Sequence, residues 1–225
     1  MLVALGAWAC AFVALGLWQL ERRVWKHALI AAVDARVHAP AAAAPGPGEW
    51  PNITADRDAY RHIRITGRFV PDRQVLTQAV TDRGAGYWVL TPIDAGEYMV
   101  LVNRGFIAQD QRYRPMRAPA GSVTVTGLLR MTEPGGGFLR DNDPAADRWY
   151  SRDVAAIAQK QGLRRTAPYF IDADAAANAP EQPVGGLTVI RFPDNHLVYA
   201  VTWFGMAGLC VFGLWRLGRD RDRSE

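Results

Sequence analysis

From Leu197 to Trp215 the chain carries no charged side chain. That is about the length an α-helix needs to cross the hydrocarbon core of a bilayer, and it restricts the fold more than any other feature. A second apolar run, Met1 to Leu20, meets its first charge at Glu21. It has no basic residues ahead of it, and Ala7-Trp8-Ala9 puts a bulky ring where a signal-peptide cleavage site needs small residues. An uncleaved anchor is therefore expected, and the missing basic leader leaves the natural N-terminus open. The middle of the chain is punctuated by Gly and Pro and reads as a soluble domain between two spans.

The lipid bilayer is thus the first partner implied. A net charge of +4 and a pI of about 9.3 raise the question of nucleic acid. The basic residues, however, cluster only beside the apolar runs, as Arg22-Arg23 and from Arg216 to Arg223. They read as juxtamembrane charges, and no nucleic-acid partner is expected. Two spans put both termini on one side. The arginines of the tail argue that this side is cytoplasmic, but Arg22, Arg23 and Lys26 at the other end of the first span balance them. Both cysteines, Cys10 and Cys210, lie inside the apolar runs, so the middle domain has no disulfide or thiol chemistry of its own. They fall roughly 15 and 20 Å below the outer surface at the rise of a helix, where packing is the expected role.

The first helix is expected to project beyond the membrane to about Ala35, because Trp18, Gln19, Arg22, Trp25, Lys26, Leu29, Ile30 and Val33 recur at helical spacing. The domain boundaries follow: 1–36 is the first helix with its extension, 37–58 a Pro/Ala/Gly-rich linker and 59–193 the β-rich domain. Residues 194–217 form the second span and 218–225 a basic tail. From Tyr60 to Phe69 polar and apolar residues alternate as in a half-buried strand. Further strands are expected over 74–80, 87–93, 97–107, 122–131, 169–172 and 186–191. Thr66-Gly67 and Thr126-Gly127 suggest similar bends in two of them. One helix is expected from Asp153 to Lys160, with Ser151 as N-cap and Gly162 as its end. The fold class is a membrane protein with two transmembrane helices flanking a β-rich α+β domain, an antiparallel barrel or sandwich.

No nucleophile elbow, zinc-protease helix or phosphate loop occurs. Asp141-Asn142-Asp143 reads as a loop turn, Asp172 and Asp174 as a strand-end turn, and Arg104 with Phe106 as a packed strand end in preference to a docking pair. Among the histidines, His27 is expected to face solvent or headgroups, His38 to be exposed, and His62 to have no role. His196 differs, because it stands at the start of the second span with Tyr199 and Trp203 at i+3 and i+7 on the same helical face. It is either an interfacial residue paired with headgroups or a metal or haem ligand, imidazole being a common axial ligand of haem iron. Since two spans joined by one domain run antiparallel, Trp18, Gln19 and Arg22 should lie level with His196. Arg22 is the residue to pair a propionate.

Several blocks recur in order along nearly the whole chain: Leu15-Gly16-Leu17-Trp18-Gln19 with Arg22-Arg23 and Trp25-Lys26, then Leu90-Thr91-Pro92 and Val100-Leu101-Val102-Asn103-Arg104-Gly105-Phe106. Leu129-Arg130-Met131-Thr132-Glu133, Asn142-Asp143-Pro144 and Trp149-Tyr150-Ser151-Arg152-Asp153 follow. The last are Phe170-Ile171-Asp172-Ala173, Gly185-Gly186-Leu187-Thr188, and Asn195-His196-Leu197-Val198-Tyr199 with Thr202-Trp203-Phe204. In these blocks the chain resembles the Surfeit locus protein 1 family, called Shy in yeast, of cytochrome c oxidase assembly factors. Phe204 stands where that family often has Tyr. The resemblance implies that the domain lies on the periplasmic or intermembrane-space side; for this chain that means a bacterial inner membrane with both termini cytoplasmic. It also implies delivery of haem a to oxidase subunit I, with haem a synthase as a further partner and no bond chemistry. The residue matching His196 is the implied iron ligand, and Tyr199, Trp203, Trp18, Gln19 and Arg22 complete the candidate haem site. A scaffold that binds no haem and a membrane-bound enzyme acting on haem are the alternatives. The second iron ligand and a homo-oligomeric state are left open.

Overall fold

Period-two alternation makes strands whose two faces can be buried against different partners, and the middle of this chain uses both. The computed structural model describes residues 2–114, 116–137, 139–175, 183–190 and 192–222. In chain order the elements are α1 (Leu2–His38), β1 (Ala42–Ala43), α2 (Ala55–Asp58), β2 (His62–Phe69), β3 (Val75–Thr81), β4 (Gly84–Asp94) and β5 (Met99–Ala108). Then come β6 (Ser122–Met131), β7 (Gly136–Gly137), β8 (Arg140–Asp141), α3 (Val154–Gln161), β9 (Thr166–Ala173) and α4 (His196–Asp222). They form two units, one of Met1–Ala32 with Ile190–Glu225, the other Val33–Val189.

In the second unit the sheet order is β1-β2-β6-β9-β5-β4-β3, and a further pairing of β2 with β4 closes it. That closure, Arg68 opposite Asp94 and Phe69 opposite Ile93, makes a five-stranded barrel of β2, β6, β9, β5 and β4. The barrel is antiparallel except where β9 lies parallel to β5. A parallel neighbour needs a long crossover, and the chain between β5 and β9 supplies it, by way of β6 and α3. Gly67 and Gly127 sit where neighbouring backbone comes closest, and a Cβ on either would strike the carbonyl of Asp94 or Asp172. The repeated Thr-Gly thus marks two tight points of closure.

One cluster gathers Ile63, Ile65, Ile93, Val100, Val102, Leu129, Ala167, Tyr169 and Ile171, drawn from every barrel strand. A second joins Leu90, Leu101 and Phe170 to Val75, Trp149, and Val154 and Ile157 of α3. Successive residues alternate between them: Val100 and Val102 against Leu101, Tyr169 and Ile171 against Phe170. The first cluster fills the barrel and the second is its outer layer under α3.

Several sequence expectations change in physical detail. Ser151 does not cap α3; Asp153 does, its side chain accepting from the Ala156 N–H at 3.1 Å. Ser151 is instead buried, donating to the Glu133 carbonyl at 2.7 Å. The strand expected over 186–191 does not form over 186–190, and Arg191 lies outside the described residues. Val184 pairs with Phe106 in its place, by two bonds of 2.9 Å. The segment expected as a linker, 37–58, is fastened to the barrel. β1 runs parallel to β2, the Pro45 carbonyl accepts from Tyr169 at 2.8 Å and Trp50 at 3.1 Å, and the buried Asp58 accepts from Arg61 at 2.7 Å. Asn142 and Asp143 do make a turn, accepting from the N–H groups of Tyr150 at 2.8 Å and Ala146 at 3.1 Å. Asp172 is a buried hub rather than a turn residue, and Asp174 has a histidine partner.

That partner is His62, whose Nε2 lies 2.9 Å from Asp174 and whose Nδ1 lies 2.9 Å from the Ala39 carbonyl. The hydrogen bond to Asp174 raises the His62 pKa above 6.5, against burial, which lowers it. The stability this pair adds is therefore complete below pH 6.5 and is lost as pH rises through the folded-state value. We expect the melting temperature of the wild type to fall over that interval and His62→Gln to flatten the fall. An NMR titration of His62 giving a pKa at or below 6.5 would contradict this.

Candidate functional site

In the helical unit, α1 and α4 are both long and apolar enough to cross a membrane, and their apolar side chains, among them Val3, Leu17, Val24, Val198, Val201, Leu209 and Phe212, are exposed. Exposed apolar faces of this extent belong in lipid. Arg216 and Arg219 lie within α4, whereas Arg223 lies outside the described residues.

The two helices meet along one face of α1. Phe12 stacks on Trp203 at 5.7 Å, Gly16 lies under the ring of Phe204, within 2.5 Å of where its Cβ would be, and Gln19 reaches His196. Arg23 and His27 reach Asp194. The α1 positions advance by three or four residues, the spacing of one helical face, while their partners go from Trp203 and Phe204 back to His196 and then Asp194, just before α4. The helices therefore run antiparallel.

At the start of α4, Gln19 Oε1 lies 2.8 Å from His196 Nδ1. An amide oxygen only accepts, so the ring donates from Nδ1, and in the neutral ring that tautomer leaves the lone pair on Nε2. Second-atom hydrogen bonding of this kind fixes the tautomer and direction of a metal-binding histidine. Asp194 locks the turn that carries it. Its Oδ1 accepts from the His196 N–H at 3.1 Å and its Oδ2 from His27 Nε2 at 2.7 Å, with Arg23 Nε 3.8 Å away. The His196 N–H, together with His27, holds the Asp194 carboxyl below its ordinary pKa. The Asn195 carbonyl accepts the first helical bond, from Tyr199 at 3.2 Å.

Of the six residues picked from sequence, the structure joins His196 to Gln19. Trp203 sits against Phe12, and its buried Nε1 has no hydrogen-bond partner among the described residues, an orphan donor of the kind that calls for explanation. Arg22 stacks on Trp25 at 4.5 Å, one turn along α1. Trp18 and Tyr199 are 51% and 54% exposed. His27, expected to face solvent or headgroups, is a partner of Asp194. Sequence reading assigned no role to Asp194, Phe12 or Gly16 and considered Arg23 only beside Arg22 for a propionate; here Arg23 faces Asp194. Cys10 and Cys210 are both free thiols. Among the described residues no three His, Cys, Asp or Glu side chains gather as a metal site.

A closed five-stranded barrel inserted in sequence between two apolar helices, with a hydrogen-bonded histidine opening the second, defines a membrane-anchored β-barrel protein with a candidate ligand histidine. The chain belongs to the SURF1 family, whose model matches residues 6–208. It is 32% identical to Surfeit locus protein 1 of Rattus norvegicus over 222 residues, covering 89% of this chain and 70% of that one. Surfeit locus protein 1 of Homo sapiens is 30% identical over 223 residues, with 89% and 71% covered. A SURF1-like protein of Monosiga brevicollis is 32% identical over 220 residues, with 89% and 80% covered.

Proposed function

We propose that this protein is an assembly factor for haem-copper cytochrome c oxidase that holds haem a transiently and assists its insertion into subunit I. The observation that carries the reading is the His196–Gln19 pair, which leaves Nε2 without a partner among the described residues at the start of a membrane helix. Membership of the SURF1 family supports the assembly role through the resemblance set out above. His196 would hold the iron. Tyr199 and Trp203, on its helical face, and Trp18 would pack the macrocycle, Gln19 would orient the imidazole, and Arg22 would pair a propionate. The Nε1 of Trp203 is a buried donor with no partner among the described residues, the kind of group a bound ligand would satisfy. Haem a is cargo here: its redox chemistry is used in the oxidase, and the protein performs no bond chemistry on it. The same reading places the protein in a bacterial inner membrane with its barrel periplasmic and its termini cytoplasmic, and with subunit I and haem a synthase as partners.

The test is purification from a host that makes haem a. The wild type should retain a haem a absorbance, and His196→Ala should lose most of it while keeping its helix content. Gln19→Leu should weaken retention by about tenfold, the low end for loss of an outer-shell partner. Full haem occupancy in His196→Ala would sink the ligand assignment. No haem in any variant, with subunit I still captured, would identify a scaffold.

A further inference from the structure

The alternation that sends Val100 and Val102 into the barrel sends Arg104 the same way, to the end of the inner face of β5. Arg104 is 8% exposed. A guanidinium this deep is normally paired with a carboxylate, because burying an unpaired charge is expensive. Here it donates to Gln74 Oε1 at 3.3 Å and to the Arg117 carbonyl at 2.6 Å, and lies over the Phe69 ring at 5.6 Å. None of these carries a negative charge, and among the described residues no carboxylate pairs with it. Burial lowers its pKa, as expected of a cation without a counter-charge.

Beside it opens a cavity of about 340 Å³, lined by Phe69, Val102, Val123 and Val125 as well as Arg104 and, at its rim, Asp174, whose carboxylate is taken by His62. This is the mouth of the barrel, the end that the inner cluster does not fill. One wall is backbone. β6 pairs with β2 from Ser122 to Leu128, but its ladder with β9 begins only at Gly127. The last bond on that side runs from the Asp174 N–H to the Thr126 carbonyl, at 3.0 Å. In an antiparallel pair every second residue turns both backbone groups away from its partner. Thr124 therefore turns its N–H and C=O to the side that Thr126 faces, and among the described residues no strand meets them there.

A strand edge and a cation that no described residue pairs, beside an apolar cavity at one mouth, fit one kind of occupant. We propose that the barrel mouth docks an extended, carboxylate-bearing peptide segment of a partner protein. Its backbone adds to β6 at Thr124, an apolar side chain enters the cavity, and its carboxylate pairs with Arg104. Strand addition supplies affinity through the main chain and specificity through alternate side chains, and arginine binds a carboxylate through two parallel hydrogen bonds. A fatty acid would use the cavity and the cation but leave the strand edge idle. The volume, near the lower end for ligand pockets, suits one or two side chains. No residue of the helix pair takes part, so the site stands whether or not haem is bound at His196.

The intact protein, in lipid nanodiscs, is panned against a displayed library of random short peptides, with Arg104→Met and Val125→Trp as counter-screens. Enriched peptides should share an acid flanked by apolar residues. Synthesised and measured by fluorescence anisotropy, they should lose at least tenfold in affinity on either variant. Glu-to-Gln exchange and C-terminal amidation in the peptide separate a side-chain acid from a terminal carboxylate, and one of them should cause a similar loss. Val125→Trp leaves Arg104 in place, so the test survives if Arg104→Met misfolds. Peptides that bind the wild type and Val125→Trp equally, winners without an acid, or no enrichment at all would overturn the proposal. Binding of octanoate that Arg104→Met and Val125→Trp weaken, with no peptide binding, would overturn it in favour of a fatty acid.

Discussion

Asp172→Ala is expected to destabilise the barrel by about 3–5 kcal/mol, the range for removing one partner of a buried charge network, read as a large fall in melting temperature of the full-length protein in detergent. Asp172 is 4% exposed. Its Oδ1 accepts from Asn103 Nδ2 at 2.8 Å and from Arg152 at 3.2 Å, and its Oδ2 from Arg130 at 2.7 Å and the Thr188 hydroxyl at 3.0 Å. One carboxylate therefore ties β5, β6 and β9 to the segment before α3 and to Thr188. The two arginines also share Glu133, which Arg152 meets at 2.5 Å and Arg130 at 3.9 Å. Burial pushes the Glu133 carboxyl up, but hydrogen bonding and charge from Arg152 outweigh it and hold the group below its ordinary pKa. With Asp172 gone, two largely buried guanidiniums would share that single carboxylate. Asp172→Asn keeps the shape and some of the hydrogen bonds and should do less damage than alanine. A loss below about 1 kcal/mol for the alanine variant would mean that the network behaves like a surface ion pair.

This hub shows where sequence reading ran out. The strands were legible because their alternation is local: β2, β4, β5, β6 and β9 all lie within residues that alternate or run apolar between turn signals. The spans were legible because a bilayer sets a length that the sequence must meet. Which strand pairs with which is a long-range matter. Nothing in Tyr169-Phe170-Ile171-Asp172 says that β9 inserts between β5 and β6, and only there does Asp172 meet Arg130, Arg152 and Asn103. The same distance in sequence hid the partner of Asp174, since His62 lies 112 residues away. The fastening of residues 37–58 was hidden too, because prolines and small residues look alike in a linker and in a strap that spends its carbonyls on Tyr169 and Trp50. At the helix pair, His196 and Gln19 could be placed level from the antiparallel geometry of two spans. Asp194 could not be recognised as the anchor of that turn, because its partners depend on which face of α1 turns inward.

Gly105→Ala is expected to cost about 3 kcal/mol or more, the upper end for a strained backbone residue, because two faults combine at one atom. Gly105 holds φ at +132°, a conformation reserved for glycine, and its N–H is fixed there by Asn103 Oδ1 at 3.1 Å. An added Cβ would also run into the Val184 carbonyl group and approach the Gly185 nitrogen to 2.6 Å. Backbone cannot swing aside as a flexible side chain would. The only relief is to move the chain around Val184 off β5, breaking its two bonds to Phe106. Hydrogen exchange should accordingly show lost protection at the Phe106 and Val184 amides first, while Gly46→Ala, where the added methyl meets nothing within 4 Å, should leave both stability and exchange unchanged. Because Pro183 and Gly185 line the mouth beside Arg104, Gly105→Ala should also weaken peptide capture there while sparing haem a at the helix pair. Asp172→Ala destabilises the barrel throughout. A Gly105→Ala protein that keeps its melting temperature and both protected amides would show that the chain around Val184 is not held against β5 by this close approach.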